Sequence, residues 1–447
     1  MIEESDFEES VRQLPLESSH IELLRKGVKS LDRLAVKEVK DLYAAANAAM
    51  ADLRAIGAFD SDFDVRVRNP SSFRVPLLPR VGLAERIALR GVTTVGAVDP
   101  QLNTIDISAY EGEFCALLGP DGSGASTILR VIAELTPVGQ GTVLIDGVDV
   151  TGAAPSERNV AAVFQSYALY PHLSVRDNIS LPMRLGRVAR SETDARVETI
   201  ASSLHLRGLL DRRPRELSGS QRQRVAFARA LIRNPKVLVV DSMPERIGVD
   251  AEIGSELALI RERLGTAVLY ATRNQGTAMS ISDRIIVVNN GRVEQAGTPS
   301  ELYSHPENKF IAGFLGVSSG LSPMNFLGVS DRSVVGGDLL VVLSGENWEI
   351  QVNTRRKVEL SRAEPTEIGI RAEDIMLVGS DDSRTDLRGT ISSVQRQGGR
   401  LLALVDTAAG ELLVEGFGGR APTPNANVGL VLNRERVHVF AFDGVAL

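Results

Sequence analysis

The chain contains very little cysteine: Cys115 is the single one among its 447 residues. One cysteine excludes an internal disulfide and fits a reducing compartment. Long apolar runs are also missing, because no stretch approaches the ~18–20 uninterrupted apolar residues of a membrane-spanning helix. The opening segment, MIEESDFEES, is acidic and lacks the apolar core of a secretory signal. If the protein serves a membrane, we expect it to act from the aqueous side and through partners.

A basic excess is absent as well. Lys and Arg together number 50 against 57 Asp and Glu, which gives a net charge of -7. This balance argues against a nucleic-acid-binding surface, because no broad positive field matches a phosphate backbone. Hydrophobic residues make up 43% of the chain and charged residues 24%, an ordinary globular composition. At about 100–200 residues per domain, the length predicts two to four domains.

Residues 1–84 are predicted to form a helical extension followed by a linker. Ser19 followed by Glu22 is typical of a capping box. Apolar residues then recur at three- and four-residue steps from Ile21 to Leu53, which indicates one stripe of a helix. From Ala58 to Ala84 the chain becomes polar and is punctuated by proline, as linkers are. The apolar stripe fits packing against the rest of this chain or docking onto a partner subunit, and the pattern leaves both open.

Residues 85–317 alternate short apolar runs with helical patterns. Runs such as Phe114–Leu118, Val237–Val240 and Ala267–Tyr270 are typical of strands buried on both faces. This alternation predicts an α/β domain with a mostly parallel sheet. Residues 318–447 instead alternate short strands with Gly, Asn and Asp turns, which predicts a small all-β barrel.

The segment after the first of these strands has the pattern of a phosphate-binding loop. It reads GPDGSGAST over residues 119–127 and leads into a helical pattern. Glycines are needed there because the backbone N–H groups must turn inward around phosphate oxygens at the start of a helix. The predicted nucleotide-binding residues of the loop are Gly119, Gly122, Ser123, Gly124, Ser126 and Thr127. Ala125 stands where such loops have the lysine that reaches the β- and γ-phosphates, so we expect weaker nucleotide binding.

Further segments resemble the nucleotide-binding domains of ABC transporters, and most closely those of carbohydrate importers. Four of them match in the family's order: Val163–Val175, Leu217–Ala226, Pro235–Asp241 and Asp283–Pro299. Three later segments resemble the regulatory barrel of the same subfamily: Ser322–Leu327, Gly369–Asp374 and Arg436–Phe440. The resemblance implies an α/β P-loop NTPase domain with a helical subdomain at about 166–230, followed by an OB-like all-β regulatory domain.

The resemblance also implies roles for individual residues. Gln165 would reach Mg²⁺ and the attacking water, Asp241 would hold Mg²⁺ through water, and Ser126 would ligate it. The domains of this family work as head-to-tail dimers, in which the signature of one subunit faces the ATP bound by the other. The signature residues here are Leu217, Ser218, Gly219, Ser220 and Gln221. Ser220 stands where glycine is usual and adds a Cβ close to the phosphate.

The departures from the family fall on the catalytic positions. Ser242 stands where the family has a glutamate that polarises water, and a hydroxyl cannot do the work of a carboxylate base. Glu245 remains an alternative base, and Asp250 is the candidate for the aspartate of the following loop. Arg273 replaces the switch histidine; it cannot exchange a proton, although it is able to bind phosphate.

The base-stacking position departs as well. The aromatic residue that stacks on adenine in many relatives is missing near Val95 and Gly96. Together with Ala125, Ser242 and Arg273, this loss predicts an ATP site that is deficient in hydrolysis.

These observations lead to three hypotheses. The first is a nucleotide-binding subunit of a carbohydrate importer, held at the cytoplasmic face of the membrane by transmembrane permease subunits. It would be the degenerate half of a heterodimer that binds ATP and Mg²⁺ weakly and donates its signature to a second ATP-binding subunit. An extracytoplasmic substrate-binding protein would join through the complex, and no nucleic acid is expected.

The second hypothesis is a conventional ATPase subunit of low activity. The third is a regulatory or assembly protein that uses the fold as a docking platform.

Overall fold

The computed structural model describes residues 84–96, 100–164, 167–241, 265–316, 322–335, 340–345, 348–353, 365–397, 400–417, 422–441 and 443–446. All of them belong to one compact unit, Leu77–Leu447. The predicted helical extension lies outside the described residues, as do Gln165, Ser242, Glu245 and Asp250. Predictions made for those positions therefore stay predictions.

The first part of the described chain alternates strands and helices. In chain order its elements are β1 (Glu85–Thr94), β2 (Ile105–Tyr110), β3 (Phe114–Leu118), α1 (Ala125–Ile132), β4 (Val138–Ile145), β5 (Val148–Asp149), β6 (Val160–Val163), α2 (Val175–Leu185), α3 (Arg190–Ser203), α4 (Gly219–Leu231), β7 (Val237–Val240), β8 (Ala267–Thr272), α5 (Gln275–Ile281), β9 (Arg284–Asn289), β10 (Arg292–Gly297), α6 (Pro299–Ser304) and α7 (Lys309–Phe314). Short 3-10 turns at Arg207–Leu209 and Pro214–Glu216 precede α4.

Two sheets form the framework of this part. The larger has the order β10-β9-β3-β8-β7-β6, and its strands β9, β3, β8, β7 and β6 run parallel. The smaller is antiparallel, with the order β2-β1-β4-β5. The sequence pattern predicted the parallel sheet, and it did not reveal the antiparallel one.

Alternating side chains of the parallel strands separate two cores. Val237 and Val239 of β7 face a core shared with α1 and the antiparallel sheet. Leu238 and Val240 face a core shared with α2, α3 and α4. Because successive strand residues point to opposite faces, a strand covered on both sides must be apolar throughout, as the sequence of β7 is.

The second part of the chain is built from strands. Its elements are β11 (Met324–Gly328), β12 (Asp331–Val335), β13 (Leu340–Gly345), β14 (Trp348–Asn353), β15 (Pro365–Arg371), β16 (Ile375–Gly379), β17 (Leu387–Gln397), β18 (Arg400–Thr407), β19 (Gly410–Val414), β20 (Gly416–Phe417), β21 (Asn427–Leu432) and β22 (His438–Ala441). They form sheets β11-β15-β22, β12-β13-β14 and β19-β18-β17-β21-β16-β20. The predicted order, an α/β part followed by an all-β part, is thereby confirmed. Among the residues that the structure describes, no helix is both long and apolar enough to span a membrane.

A buried arginine joins the two parts. The Arg371 guanidinium donates to the backbone carbonyl oxygens of Leu315, Ser322 and Tyr303 at 2.8, 3.0 and 2.9 Å. It also lies over the Tyr303 ring at 3.6 Å from the centroid, and the Tyr303 hydroxyl donates to Glu373. Arg371 thus fixes β15 against the helices that end the α/β part.

Candidate functional site

The carboxyl ends of four parallel strands bring the predicted site residues to one edge of the sheet. The paired residues near those ends are Leu118 with Thr272, Val240 with Tyr270, and Val163 with Val240. The segments that begin there start at Gly119, Asp241, Arg273 and Phe164. Because ligands of open α/β sheets bind outside the carboxyl ends of the strands, this edge is the candidate functional site.

The phosphate-binding loop has the backbone that its glycines predict. Gly122 and Gly124 have φ of 72° and 104°, in the left-handed region that favours glycine. A Cβ on Gly119 would lie 2.2 Å from the Val288 carbonyl oxygen, so that position has no room for a side chain. Helix α1 begins directly after Gly124, at Ala125, and its first N–H groups are presented to the loop.

The turn between β9 and β10 is hydrogen-bonded to the backbone of the phosphate-binding loop. The Gly291 N–H donates to the Ser123 carbonyl at 2.7 Å, and the Gly291 carbonyl accepts from the Asn103 N–H at 2.9 Å. Gly291 has φ of 71°, and a Cβ there would lie 2.0 Å from the Gln101 carbonyl oxygen. The position therefore requires glycine for both its backbone angle and its space.

We expect Gly291→Ala to destabilise the protein by about 2–4 kcal/mol, because it combines a left-handed alanine with a backbone clash. Gly147→Ala is the matched control: Gly147 has φ of 75°, and a Cβ there meets nothing within 4 Å. It should cost only the strain of the backbone angle, about 1–2 kcal/mol. Urea unfolding followed by fluorescence compares the two variants. Equal losses would show that the packing beneath the loop contributes nothing.

Two oxygen-bearing side chains of the predicted metal set lie together. The Ser126 hydroxyl at the start of α1 donates to Oδ1 of Asp241 at 2.6 Å, although the residues are 115 positions apart in sequence. Carboxylate and hydroxyl oxygens are the donors that Mg²⁺ prefers. Ser126 and Asp241 therefore fit a magnesium ion, and the adjacent Thr127 is buried. Gln165, the third predicted ligand, lies outside the described residues.

Beside the loop, the structure shows an ion pair that the sequence pattern did not predict. Ala125 is buried, and its N–H donates to the Ser123 hydroxyl at 3.4 Å. From the neighbouring strand end, Nη1 of Arg273 lies 2.7 Å from both carboxylate oxygens of Asp121. The next residue, Asn274, caps α5 by accepting from the Thr277 N–H at 2.9 Å. Asp121, a carboxylate inside a glycine loop of the phosphate-binding pattern, is the sequence feature that could have indicated this pair.

The base-stacking position holds no ring. Val95 is 54% exposed, and the Gly96 carbonyl accepts from the Gln101 side-chain amide at 2.9 Å. A cavity of about 630 Å³ adjoins Gln101 and is lined by the polar side chains Thr93, Asn103, Asn289, Arg292 and Glu294 among others. None of the described residues that line it is aromatic.

The signature forms a reciprocally capped helix start. The Ser218 hydroxyl accepts from the Gln221 N–H at 3.2 Å, while the Ser218 N–H donates to the Gln221 side-chain oxygen at 2.9 Å. This capping box begins the 13-residue helix α4. A Cβ on Gly219 would meet nothing within 4 Å, and Leu217 anchors the segment in the core. The helix start is therefore rigid yet open on its outer side.

Ser220, the departure within the signature, takes part in this arrangement. Its hydroxyl lies 3.1 Å from the Ser218 hydroxyl, within hydrogen-bond distance. The extra side chain thus supports the orientation of the Ser218 hydroxyl, and both oxygens lie on the exposed side of the helix start.

Comparisons with known proteins identify two families and several similar chains. The ABC transporter family matches residues 102–243, and the TOBE domain family matches residues 368–440. The sn-glycerol-3-phosphate import ATP-binding protein UgpC 1 of Rhizobium johnstonii is 35% identical over 364 residues, covering 80% of this chain and 94% of that protein. The alpha-glucoside transport ATP-binding protein AglK of Rhizobium meliloti is 36% identical over 354 residues, covering 78% and 95%. Among solved structures, cbiO1 from Clostridium perfringens, part of the ABC transporter complex cbiONQ, aligns with a TM-score of 0.44 and 24% identity, over 49% of this chain and 90% of that chain.

Proposed function

Because this chain belongs to the ATP-binding subunits of the ABC transporter family, we propose that it serves an importer for a carbohydrate or a glycerol-phosphate. The substrate class follows from relatives named for glycerol-phosphate and alpha-glucoside transport, each matched over more than nine-tenths of its length. The match to the TOBE domain at residues 368–440 supports the same class of importer. The family binds ATP with Mg²⁺, and the glycine loop, Ser126 and Asp241 fit that ligand.

Within this importer, the chain is the catalytically degenerate half of a heterodimer. The observation that carries the proposal is a capped, exposed signature in a chain whose own lysine and switch-histidine positions hold Ala125 and Arg273. Ser242 at the position of the general base points the same way. A bound nucleotide would have neither the lysine charge nor a carboxylate base, each of which contributes on the order of 10²–10⁴ in rate. These contributions act together, so they are not multiplied.

The signature is the chain's contribution to hydrolysis. The start of α4 combines a helix dipole with exposed N–H and hydroxyl donors, which suits the γ-phosphate of ATP bound by a partner. The Ser218 hydroxyl is oriented both by the Gln221 N–H and by Ser220. It therefore reaches the partner's nucleotide already ordered, which lowers the entropy lost on binding.

The chain's own loop retains a binding role. Gly122 and Gly124 have the positive φ that a phosphate-binding loop needs, Gly119 leaves no room for a side chain, and Ser126 with Asp241 would hold Mg²⁺. Magnesium supplies charge neutralisation to the phosphates when it is bound. Without a lysine, the loop binds ATP more weakly. Its role is to hold the nucleotide at the dimer interface and not to hydrolyse it.

The partners follow from this role. Transmembrane permease subunits hold the chain at the cytoplasmic face of the membrane, and a second ATP-binding subunit completes the heterodimer. An extracytoplasmic substrate-binding protein delivers the cargo through the complex. The domain boundaries that belong to this proposal are residues 1–84, 85–317 and 318–447.

The test compares ATP turnover by the purified chain with turnover by the complex co-expressed from the neighbouring transporter genes. We expect the chain alone to hydrolyse ATP at least about 10²-fold more slowly than the complex, because its base and lysine are absent. Robust turnover by the chain alone would refute the degenerate-half proposal in favour of a conventional subunit. Failure to co-purify any membrane subunit would instead favour the docking-platform hypothesis.

A further inference from the structure

An ion pair connects the phosphate-binding loop with the segment that follows β8. Nη1 of Arg273 contacts both carboxylate oxygens of Asp121 at 2.7 Å. The two residues are 152 positions apart, and they meet because β3 and β8 run parallel with Leu118 beside Thr272. The Asp121 side chain is 81% exposed and that of Arg273 is 47% exposed, so neither charged group is buried and both can be reached from solvent.

The charges around the loop indicate that this ion pair controls the affinity of the loop for an anionic ligand. Residues 119–127 contain no lysine or arginine, and Ala125 is buried beneath the loop. Asp121 and Asp241 each bring a carboxylate to the loop, and Arg273 brings a guanidinium. A triphosphate that approaches therefore meets two like charges, and the nearby cation is already engaged by one of them.

We propose that Asp121 and Arg273 form a charge latch: a nucleoside triphosphate displaces Asp121 from Arg273, and Arg273 then supplies the cationic contact that lysine supplies in other phosphate-binding loops. The guanidinium stays charged at every physiological pH and presents a fork of N–H donors that fits a carboxylate or a phosphate equally well. Asp121 is thus an internal competitor of the phosphate, and Arg273 is a phosphate-binding residue. This inference rests on the proposed function only in assuming that the loop binds nucleotide.

The latch predicts opposite effects for its two members. Full-length chain variants are titrated with trinitrophenyl-ATP in the presence of Mg²⁺, and binding is followed by fluorescence. We expect Asp121→Asn to tighten binding about five- to thirtyfold, because it removes a like charge and releases Arg273. We expect Arg273→Gln to weaken binding about tenfold, and to do so in the Asp121→Asn background as well.

A matched control separates the latch from a general loss of negative charge. Asp382 forms an exposed ion pair with Arg384 in the all-β part, at 2.8 Å. Asp382→Asn removes the same charge and breaks a similar pair, and it should leave binding within twofold. An equal tightening by both aspartate variants would overturn the latch, because the effect would then follow net charge alone.

A second variant tests whether Arg273 takes the place of lysine. Ala125→Lys restores a cation within the loop, so Arg273→Gln should lose most of its effect in that background. If Arg273→Gln changes affinity by less than twofold with Asp121 either present or removed, Arg273 does not contact phosphate and the inference is wrong. Absence of binding by all variants would overturn it too. Neither result bears on the signature, whose contribution is measured by turnover in the complex.

Discussion

Replacing Ser218 by aspartate in this chain should lower ATP turnover by the assembled complex about 10²–10³-fold, the size of effect seen when one donor to a transition-state oxyanion is lost. Aspartate is as good a helix N-cap as serine, so the start of α4 should stay folded. Its carboxylate would, however, face the γ-phosphate held by the partner subunit. The loss would therefore come from electrostatic repulsion and not from unfolding.

Ser218→Asn is the control for this prediction. Asparagine has nearly the same shape as aspartate and also caps helices, but it carries no charge. It should retain much more activity than the aspartate variant. Steady-state turnover of the purified complex is the measurement, and circular dichroism of the chain alone verifies folding. Wild-type turnover by the Ser218→Asp complex would show that this signature does not act on a partner's nucleotide.

Replacing Arg158 by methionine should destabilise the α/β part by about 3–5 kcal/mol. The side chain of Arg158 is fully buried and pairs with the Glu134 carboxylate. Its N–H groups donate to backbone carbonyl oxygens at the end of α1 and in the segment after β5: Val131 at 2.9 Å, Ile132 at 3.1 Å, Thr151 at 2.7 Å and Ala153 at 3.1 Å. Methionine fills much of the volume but removes all of these donors and the cationic partner of the Glu134 carboxylate. The Val131 carbonyl would still accept from the Glu134 N–H at 3.1 Å.

The consequence extends to the site, because α1 begins at the phosphate-binding loop and ends at the carbonyls that Arg158 caps. Amide hydrogen exchange in α1 should therefore rise together with the loss in the urea midpoint. Arg190→Met is the control: Arg190 forms an exposed i,i+4 pair with Asp194, and its removal should leave the midpoint nearly unchanged. If both variants unfold at the wild-type midpoint, Arg158 does not hold the helix.

The sequence was sufficient where the structure depends on local chemistry. Gly122 and Gly124 were predicted from the backbone that a phosphate loop needs, and both have positive φ. The strand Val237–Val240 was predicted from an apolar run with the limits observed in the structure. Ser218 and Gln221 belong to one local pattern, and the capping box forms within four residues. The antiparallel sheet escaped prediction because strands such as β4 are partly exposed and have a weak apolar pattern.

Sequence by itself determined the family and the order of the two parts. It also showed Ala125, Ser242 and Arg273 where the resemblance leads us to expect lysine, glutamate and histidine, since each of these features can be read from neighbouring residues. Only the tertiary structure decided that Arg273 meets Asp121, that Ser126 meets Asp241, and that Arg158 caps the helix carrying the loop. The partners in the first two pairs are 152 and 115 residues apart. Their meeting depends on the order and register of parallel strands, which are set by packing between distant segments and leave no local pattern in the sequence.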